Sequence, residues 1–271
     1  MKEIPINQGS ILTPFFKDCY DSCPEAYLDG IMGRGFADSD TAPTYGVIQL
    51  GDFCFFGGNG SGPLKQNVVN ILKSLCNSPT MILVPLTESW NRTLLENPDF
   101  KRVIRYAMDK PDRNWFNKKK LEEYITKAAF DPQYVGVRTS RKFVIKPIDE
   151  AAYKDILKEE WSRDLVANYP TYERFARLGL GFIIVESATE RIVAGASTFA
   201  SSKHTNELQL CTHPDYEGHG FATAIAARFI LECISLDKHP NWDAAHLTSV
   251  HIAEKLGYHF AEEYVAYERI H

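Results

Sequence analysis

The sequence predicts an α/β (α+β) protein built from two domains. Its 271 residues exceed the usual size of one compact domain. Apolar residues at helical spacing alternate with short apolar runs of the kind found in buried strands. A polar stretch near residues 138–141 separates a helix pattern from a new strand pattern. We therefore expect a mixed α/β domain over residues 1–138, and a mixed sheet flanked by helices over residues 139–271.

The composition is that of an ordinary folded protein, with 44% hydrophobic and 24% charged residues. The formal net charge of −5 falls on residues 141–271, because acidic and basic side chains balance over the first 140 residues. This charge suits neither nucleic acid nor an anionic membrane, and the acidic half suits a cationic partner such as an amine. The sequence has no apolar run of transmembrane length and no signal-peptide core near residue 1, so we expect a cytoplasmic protein.

The N-terminal half begins with an irregular segment of forty residues that holds at most a short helix. Two strands then follow, Thr44–Leu50 and Phe53–Phe56, joined by a Gly51-Asp52 turn that is typical of a β-hairpin. A helix with Ser61 as its N-cap comes next. The remaining elements are predicted as strand Met81–Leu86, helix Thr87–Glu96, strand Arg102–Met108 and helix Asn117–Lys127.

The C-terminal half is predicted to alternate in the order β-αα-β-β-β-α-β-α-β-β. Asp149 and Thr171 are the expected N-caps of the first two helices, and the helical pattern continues between them as far as Pro170. We find no sequence repeat. The other predicted elements are strand Phe143–Lys146, the hairpin Phe182–Glu186 and Ile192–Phe199, strand Glu207–Thr212, helices Phe221–Leu236 and His246–Leu256, and two closing strands, Tyr258–Ala261 and Tyr264–Glu268.

The most informative segment follows the strand that ends at Thr212. A tight turn leads through Gly218-His219-Gly220 into a helix of small residues. Glycines let backbone N–H groups approach a ligand closely, and a helix N-terminus offers free N–H donors and a partial positive charge. The pattern indicates a cradle for a diphosphate. Taken alone, the segment is equally compatible with an ordinary strand-to-helix turn.

Two motifs carry a resemblance to a known family. The run from His213 to Ala222, HPDYEGHGFA, resembles the acetyl-CoA loop of the GNAT N-acetyltransferases, whose pattern is (Gln/Arg)-x-x-Gly-x-(Gly/Ala). The run from His246 to Tyr258 resembles the later N-x-x-S…AEKLGF element of that family. The element order over residues 143–268 also follows the GNAT order. The whole chain is similar to a two-domain branch, the zwittermicin-resistance-like acetyltransferases.

The resemblance implies acetyl-CoA as co-substrate. The backbone of Leu210, Cys211 and Thr212 would pair with the pantetheine arm. The diphosphate would lie on a second group of residues: Gly218, His219, Gly220, Phe221, Ala222 and Thr223. Glu217 departs from the family, which prefers Arg or Gln at that place. A carboxylate beside a diphosphate is unfavourable, so this side chain either weakens binding or points to solvent.

The implied reaction is direct attack of a primary amine of a small molecule on the thioester. The family's usual acid, a tyrosine, aligns with Ala253, so another group must protonate the leaving thiolate. Ser249, His246 and Tyr258 are the candidates, of which Tyr258 is more typical of a core residue. Glu207, on the donor strand, is the first choice for the base. Cys211 raises a covalent route through its thiol, although a buried inert thiol fits better.

Several alternatives stay open on the sequence. The missing tyrosine leaves room for a non-catalytic acyl-CoA-binding or regulatory module. Aromatic residues of the predicted helices fit either an acceptor pocket between the domains or the core: Trp161, Tyr169, Tyr172 and Phe175. The histidines lie late in the chain, but none has the spacing typical of a metal site, so we expect no metal. We expect a small-molecule amine as partner, no nucleic acid and no membrane, and we leave a homodimer open.

Overall fold

A computed structural model of the protein describes residues 1–59, 67–68, 70, 80–109, 112, 114–129 and 143–270. The chain divides into two compact units. Unit 1 comprises Met1–Ala107, Asp243–His246 and Ala261–His271, and unit 2 comprises Met108–Trp242 and Leu247–Phe260. The domain boundary predicted near residue 138 lies outside the described residues, as does most of the helix predicted after Ser61, so both stay predictions.

From residue 44 onward most described elements match predicted helices and strands, whereas the first forty residues, predicted to be irregular with at most a short helix, also contain two strands. The strands are β1 (Lys2–Ile4), β2 (Arg34–Ala37), β3 (Tyr45–Leu50), β4 (Phe53–Gly58), β5 (Ile82–Pro85), β6 (Phe100–Met108), β7 (Phe143–Pro147), β8 (Gly181–Glu186), β9 (Arg191–Ser201), β10 (Thr205–Thr212), β11 (His239–Asn241), β12 (Asp243–Ala244) and β13 (Phe260–Arg269). The helices are α1 (Cys23–Leu28), α2 (Glu88–Leu95), α3 (Lys118–Ala129), α4 (Glu150–Ile156), α5 (Tyr172–Leu178), α6 (Phe221–Ser235) and α7 (Leu247–Leu256).

Local side-chain chemistry sets the ends of α4 and α5, as predicted. The carboxylate of Asp149 accepts the N–H of Ala152 at 2.8 Å, and the hydroxyl of Thr171 accepts the N–H of Arg174 at 3.3 Å. The expectation of continuous helix between the caps is wrong, because α4 ends at Ile156. There the hydroxyl of Ser162 donates to the Ile156 carbonyl at 3.0 Å, and a short 3-10 helix, Arg163–Leu165, follows.

Unit 1 is built on a mixed sheet with the strand order β1-β2-β3-β4-β5-β13-β6-β12. The pairs from β1 to β4 are antiparallel, and β4 with β5 is parallel. The predicted hairpin of β3 and β4 is confirmed. A core of buried apolar side chains lies against this sheet, with Trp90 and Phe56 tilted against each other at 5.0 Å between ring centroids.

The chain's final segment is a single strand, β13, and not the two predicted strands. It lies between β5 and β6 in unit 1 and pairs antiparallel with β5, with Tyr267 opposite Leu83. The predicted break fell on Glu262 and Glu263, whose charges look like a turn in sequence. Both side chains are exposed, so the strand runs through them without burying a charge.

Unit 2 contains a second mixed sheet, with the order β11-β10-β9-β8-β7. The pairs from β7 to β10 are antiparallel, and β10 with β11 is parallel. The strands β1 to β5 of unit 1 have the same order and the same directions. The two units therefore repeat one topology, which the amino-acid sequence does not reveal as a repeat.

A buried ion pair fixes β12 to β6 inside unit 1. The guanidinium of Arg105 donates from Nε to Asp243 Oδ2 at 2.8 Å, and both side chains are 9% exposed. The hydroxyl of Tyr264, on β13, donates to the other carboxylate oxygen of Asp243 at 2.9 Å. Burial, followed by the charge of Asp243, raises the pKa of Tyr264 well above its usual range, so this phenol stays a donor.

Replacing Asp243 with asparagine is expected to destabilise unit 1 strongly. Asp243→Asn leaves the buried Arg105 guanidinium without its counter-charge, which costs about 3–5 kcal/mol when one partner of a buried pair is removed. A fall in the urea midpoint of unfolding measures this loss. Lys101→Ala is the matched control, since Lys101 pairs with Glu268 across an exposed surface of the same sheet. Equal midpoints for both variants would contradict the structural role of the Arg105 pair.

Candidate functional site

Among the residues that the structure describes, strand β10 has one edge that is paired for only part of its length. On one side it pairs with β9 from Asn206 to Thr212, with an irregularity in register between Glu207 and Leu208. On the other side β11 pairs with Thr205, Asn206 and Glu207 alone. Because β11 pairs with no residue of β10 beyond Glu207, the backbone groups from Leu208 to Thr212 that point to this edge can bind an extended ligand.

The loop that follows β10 is held in place by aromatic side chains. Its 3-10 turn, Pro214–Tyr216, begins at His213, whose Nδ1 accepts the N–H of Asp215 at 3.2 Å. Tyr216 and Phe221, at the two ends of the glycine turn, are 7% and 1% exposed. Both pack against the ring of Phe143 from β7, with centroids 6.2 and 4.6 Å away. The loop is therefore anchored to the core on both sides of its glycines.

Gly218 and Gly220 take backbone conformations that favour glycine, with φ of +77° and +79°. A side-chain carbon built on either glycine would meet no described heavy atom within 4 Å, so this turn faces open space. Gly220 is the N-cap of α6, and as a glycine it has no side chain with which to cap the N–H groups of that helix end. At the end of β10, the buried hydroxyl oxygen of Thr212 has no hydrogen-bond partner among the described residues. An anionic group with hydrogen-bonding arms fits this arrangement.

The other residues predicted for the cradle lie around these glycines. The His219 ring stacks on Phe221 with centroids 5.9 Å apart, Ala222 is half-buried and Thr223 is buried. The side chain of Glu217 is exposed, as expected for a carboxylate that points to solvent.

Glu207 lies at the point where β10 and β11 part. Its side chain is 4% exposed, and its carboxylate oxygen Oε2 accepts a hydrogen bond from Nδ2 of Asn241 at 2.5 Å. Glu207 and Asn241 are also the last residue pair in the parallel register. A buried carboxylate held by an amide is suited to accept a proton from a nearby group.

Ser249 lies on α7 and is half-buried. Its Oγ accepts a hydrogen bond from the indole Nε1 of Trp242 at 3.0 Å. Since the indole nitrogen can only donate, the serine hydroxyl keeps its own proton for a different acceptor. His246 is exposed directly before α7 and belongs to unit 1, whereas Glu207 and Ser249 belong to unit 2.

The surroundings of two further candidates, Tyr258 and Cys211, indicate structural roles. The hydroxyl of Tyr258 donates to the carbonyl of Pro240 at 2.8 Å, and the residue is 2% exposed. Burial, and then the charges of Cys233 and Glu207, raise the pKa of Tyr258 well above its usual range. Burial of the Cys211 thiol, followed by the negative charge of Asp164, also raises the pKa of that thiol. Ala253, at the place of the family's tyrosine, is fully buried in α7.

The aromatic residues of α5 and of the segment that precedes it divide into two groups. Tyr169 and Phe175 are 1% and 3% exposed and form part of the unit 2 core. Trp161 and Tyr172 are half-buried, and the ring of Trp161 meets the His213 ring edge-on at 5.3 Å. Trp161 therefore borders the loop that follows β10.

The structure also bears on metals and membranes. Among the residues that it describes, no three His, Cys, Asp or Glu side chains are grouped as metal ligands would be. None of the helices in that part of the chain is both long enough and apolar enough to cross a membrane.

Comparison with known proteins decides the family. The family model described as GNAT acetyltransferase matches residues 13–267. The chain belongs to the GNAT acetyltransferase family. It is therefore an enzyme of the acyltransferase class, and the resemblance seen in the sequence is confirmed at the level of the family. The chain is also similar to the "Uncharacterized N-acetyltransferase YdfB" of Bacillus subtilis (strain 168), with 22% identity over 278 residues that cover 98% of each protein.

Solved structures confirm the mixed α/β fold. A GCN5-related N-acetyltransferase-like protein from Streptococcus suis 89/1591 superimposes with a TM-score of 0.84 and 31% sequence identity, covering 98% of this chain and 100% of that one. A tandem GNAT protein from the clavulanic acid biosynthesis pathway has a TM-score of 0.53 and 9% identity, covering 98% and 97%. The second match is a likeness of fold alone. The specific two-domain branch named from the sequence stays a prediction.

Sequence reasoning missed the residues that hold the candidate groups. Asn241 and Trp242 were not singled out, and neither were Phe143 and Tyr216 as anchors of the loop. The signal for Tyr216 and Phe221 was present, because two aromatics flank a glycine turn. The partners of Glu207 and Ser249 depend on strand register and helix placement, which short motifs do not encode.

Tyr258→Phe tests whether Tyr258 is structural. Removing the hydroxyl leaves the buried Pro240 carbonyl without its donor, which costs about 1–3 kcal/mol. We expect a lower melting temperature and an unchanged turnover number for thiol release with an amine acceptor. A large loss of turnover at unchanged stability would show instead that the phenol takes part in the reaction.

Proposed function

We propose that the protein transfers the acetyl group of acetyl-CoA directly to a primary amine of a small molecule. The observation that supports this most is the continuity between the open edge of β10 and the uncapped glycine turn at α6. An extended arm with amide groups suits the first, and a diphosphate suits the second. Few other common metabolites combine both features in one molecule.

The binding role falls on backbone groups. The N–H groups from Gly218 to Thr223 would hold the diphosphate, and the free edge at Leu210–Thr212 would pair with the arm. Gly218 and Gly220 support this because open space lies where a side chain would otherwise stand. Backbone donors at a helix N-terminus stabilise negative charge without a basic side chain, so the exposed carboxylate of Glu217 is tolerated.

The reaction requires two proton transfers. The amine nitrogen forms a bond to the thioester carbonyl carbon, and the nitrogen loses a proton to Glu207. A backbone N–H near Leu210 or Cys211 would donate to the oxyanion of the tetrahedral intermediate. The C–S bond then breaks, and the leaving thiolate takes a proton from Ser249. His246 is the second candidate for that acid, since it lies three residues earlier in the chain.

Direct transfer is favoured over a covalent route through Cys211. A thiol attacks as its thiolate, and burial together with Asp164 raises the pKa of the Cys211 thiol. The group therefore stays protonated near neutral pH. The excess of acidic residues in the C-terminal half would attract an amine that is cationic in solution, and this amine gives one proton to water before its neutral form attacks.

Gly220→Ala tests the cradle with calorimetric titration of CoA. The added carbon strains a left-handed residue by about 1–2 kcal/mol and stands in the open space of the turn. We expect CoA affinity to fall about tenfold or more, as for the loss of a hydrogen bond to a charged group. Gly30→Ala is the matched control, with a φ of +77° and its nearest described heavy atom at 3.9 Å, outside this loop. Equal CoA affinity in both variants would rule the cradle out.

Glu207→Gln tests the base with acetyl-CoA and a panel of primary amines. Thiol release should fall about 10²- to 10⁴-fold, the usual contribution of a positioned base, at unchanged CoA affinity. Ser249→Ala should lower turnover in the same way if the hydroxyl protonates the thiolate. Glu159→Gln, at an exposed carboxylate, is the control and should behave as the unaltered protein. Tight CoA binding without turnover on any amine would favour a binding module.

A further inference from the structure

Asn241 is a buried side chain whose hydrogen bonding is half complete. The residue is 2% exposed, and its Nδ2 donates to Glu207. Its other polar atom, Oδ1, is buried and has no hydrogen-bond partner among the described residues. Leaving a buried acceptor without a donor costs free energy, so such an atom in a folded protein is available to a donor that a ligand brings.

The position of Asn241 decides where that partner binds. Asn241 lies opposite Glu207 in register, at the last point where β10 and β11 pair. Side chains of paired residues lie on the same face of a sheet, so the amide and the carboxylate share one face. The free edge of β10 begins at the next residue. An unpartnered oxygen thus stands beside a buried carboxylate at the opening of the strands.

We propose that Asn241 positions both the base and the amine acceptor in the transfer reaction. Its Nδ2 holds the carboxylate of Glu207 in one orientation, and its Oδ1 accepts an N–H of the attacking amine. This inference rests on the proposed function, since it assigns the acceptor nitrogen to the opening beside Glu207. An amine carries more than one N–H, so it can give one proton to Glu207 while another stays bound to Asn241 Oδ1.

Titratable groups on neighbouring elements lie near this pair. Tyr258 is close enough to Cys233 and to Glu207 for the charges of both groups to raise its pKa. The positive charge of Lys238 acts to lower the pKa of Cys233, against the effect of burial. The Lys238 ammonium donates a hydrogen bond to Ser201 Oγ at 2.6 Å, so it is engaged away from the pair of Asn241 and Glu207. Tyr258 donates its proton to Pro240. Asn241 donates a direct hydrogen bond to the Glu207 carboxylate.

The first test uses the unaltered protein labelled with ¹⁵N at asparagine side chains. The Nδ2 resonance of Asn241, assigned by its loss in Asn241→Leu, should follow the titration of Glu207 with pH and should stop doing so in Glu207→Gln. The side-chain amide of Asn168 is the internal control, because it donates to the backbone carbonyl of Phe199 and should not titrate. An Asn241 resonance that ignores Glu207 would overturn the positioning role, whether or not the protein acetylates any amine.

The second test compares two variants in kinetics with acetyl-CoA and the amine panel. Asn241→Leu removes both polar atoms, and Asn241→Asp keeps an acceptor oxygen while removing the donor. Both should move the acid limb of the kcat/KM profile to higher pH, because the carboxylate loses its donor. Only Asn241→Leu should raise the amine KM, by up to about tenfold, which matches one lost hydrogen bond between neutral groups.

The outcomes separate this inference from the proposed function. If Asn241→Leu instead weakens CoA binding and leaves the amine KM unchanged, Oδ1 binds the pantetheine arm and the inference is wrong. An unshifted acid limb in both variants would also overturn it. If calorimetry finds no CoA binding to the unaltered protein, the proposed function itself fails, while the titration of the Asn241 amide still reports on the pair.

Discussion

The short pairing between β10 and β11 is the constraint on which the rest of unit 2 depends. Strands that stay paired satisfy each other's backbone groups, and strands that part leave those groups to a ligand. Unit 1 shows the opposite case in the same topology. There β4 and β5 pair from Phe53 to Phe56, and the carbonyls of Gly57 and Gly58 beyond them accept from Trp90 and Thr87. One topology thus gives a closed strand pair in unit 1 and an open one in unit 2.

The opening is held ready by groups outside it. Phe143 fixes the glycine turn through Tyr216 and Phe221, and Trp242 fixes the hydroxyl of Ser249. The backbone donors of the turn and the candidate acid are therefore oriented before any ligand arrives. Preorganised donors avoid the cost of ordering during binding and reaction. Such preorganised electrostatic stabilisation is usually the largest single contribution that a protein makes to catalysis. The side chains that touch the chemistry are few, and the aromatic framework behind them is larger.

Much of the fold follows from local sequence. Some signals act over only a few residues, such as glycines at a strand-to-helix turn, helix caps like Asp149 and a Gly-Asp hairpin turn. Their positions can therefore be predicted from the local sequence, without knowledge of the tertiary structure. The hydrogen bond between Glu207 and Asn241 joins residues 34 positions apart. It exists because two parallel strands meet in one register, and register is decided by the packed sheet. The repeated topology of the two units is not visible in the sequence for a related reason. A buried strand requires apolar residues but no particular apolar residue, so two strands in equivalent positions need not have similar sequences.

The place of β13 affects how the chain can mature. Strands β1 to β6 of the unit 1 sheet precede the strands of unit 2 in the chain, yet the same sheet holds β13, which is synthesised after every strand of unit 2. Until β13 emerges, β5 and β6 cannot take the positions on either side of it. A nascent chain in that state exposes unpaired strand edges, which favour aggregation. Biosynthesis therefore favours completion of the unit 2 sheet before β13 completes the sheet of unit 1.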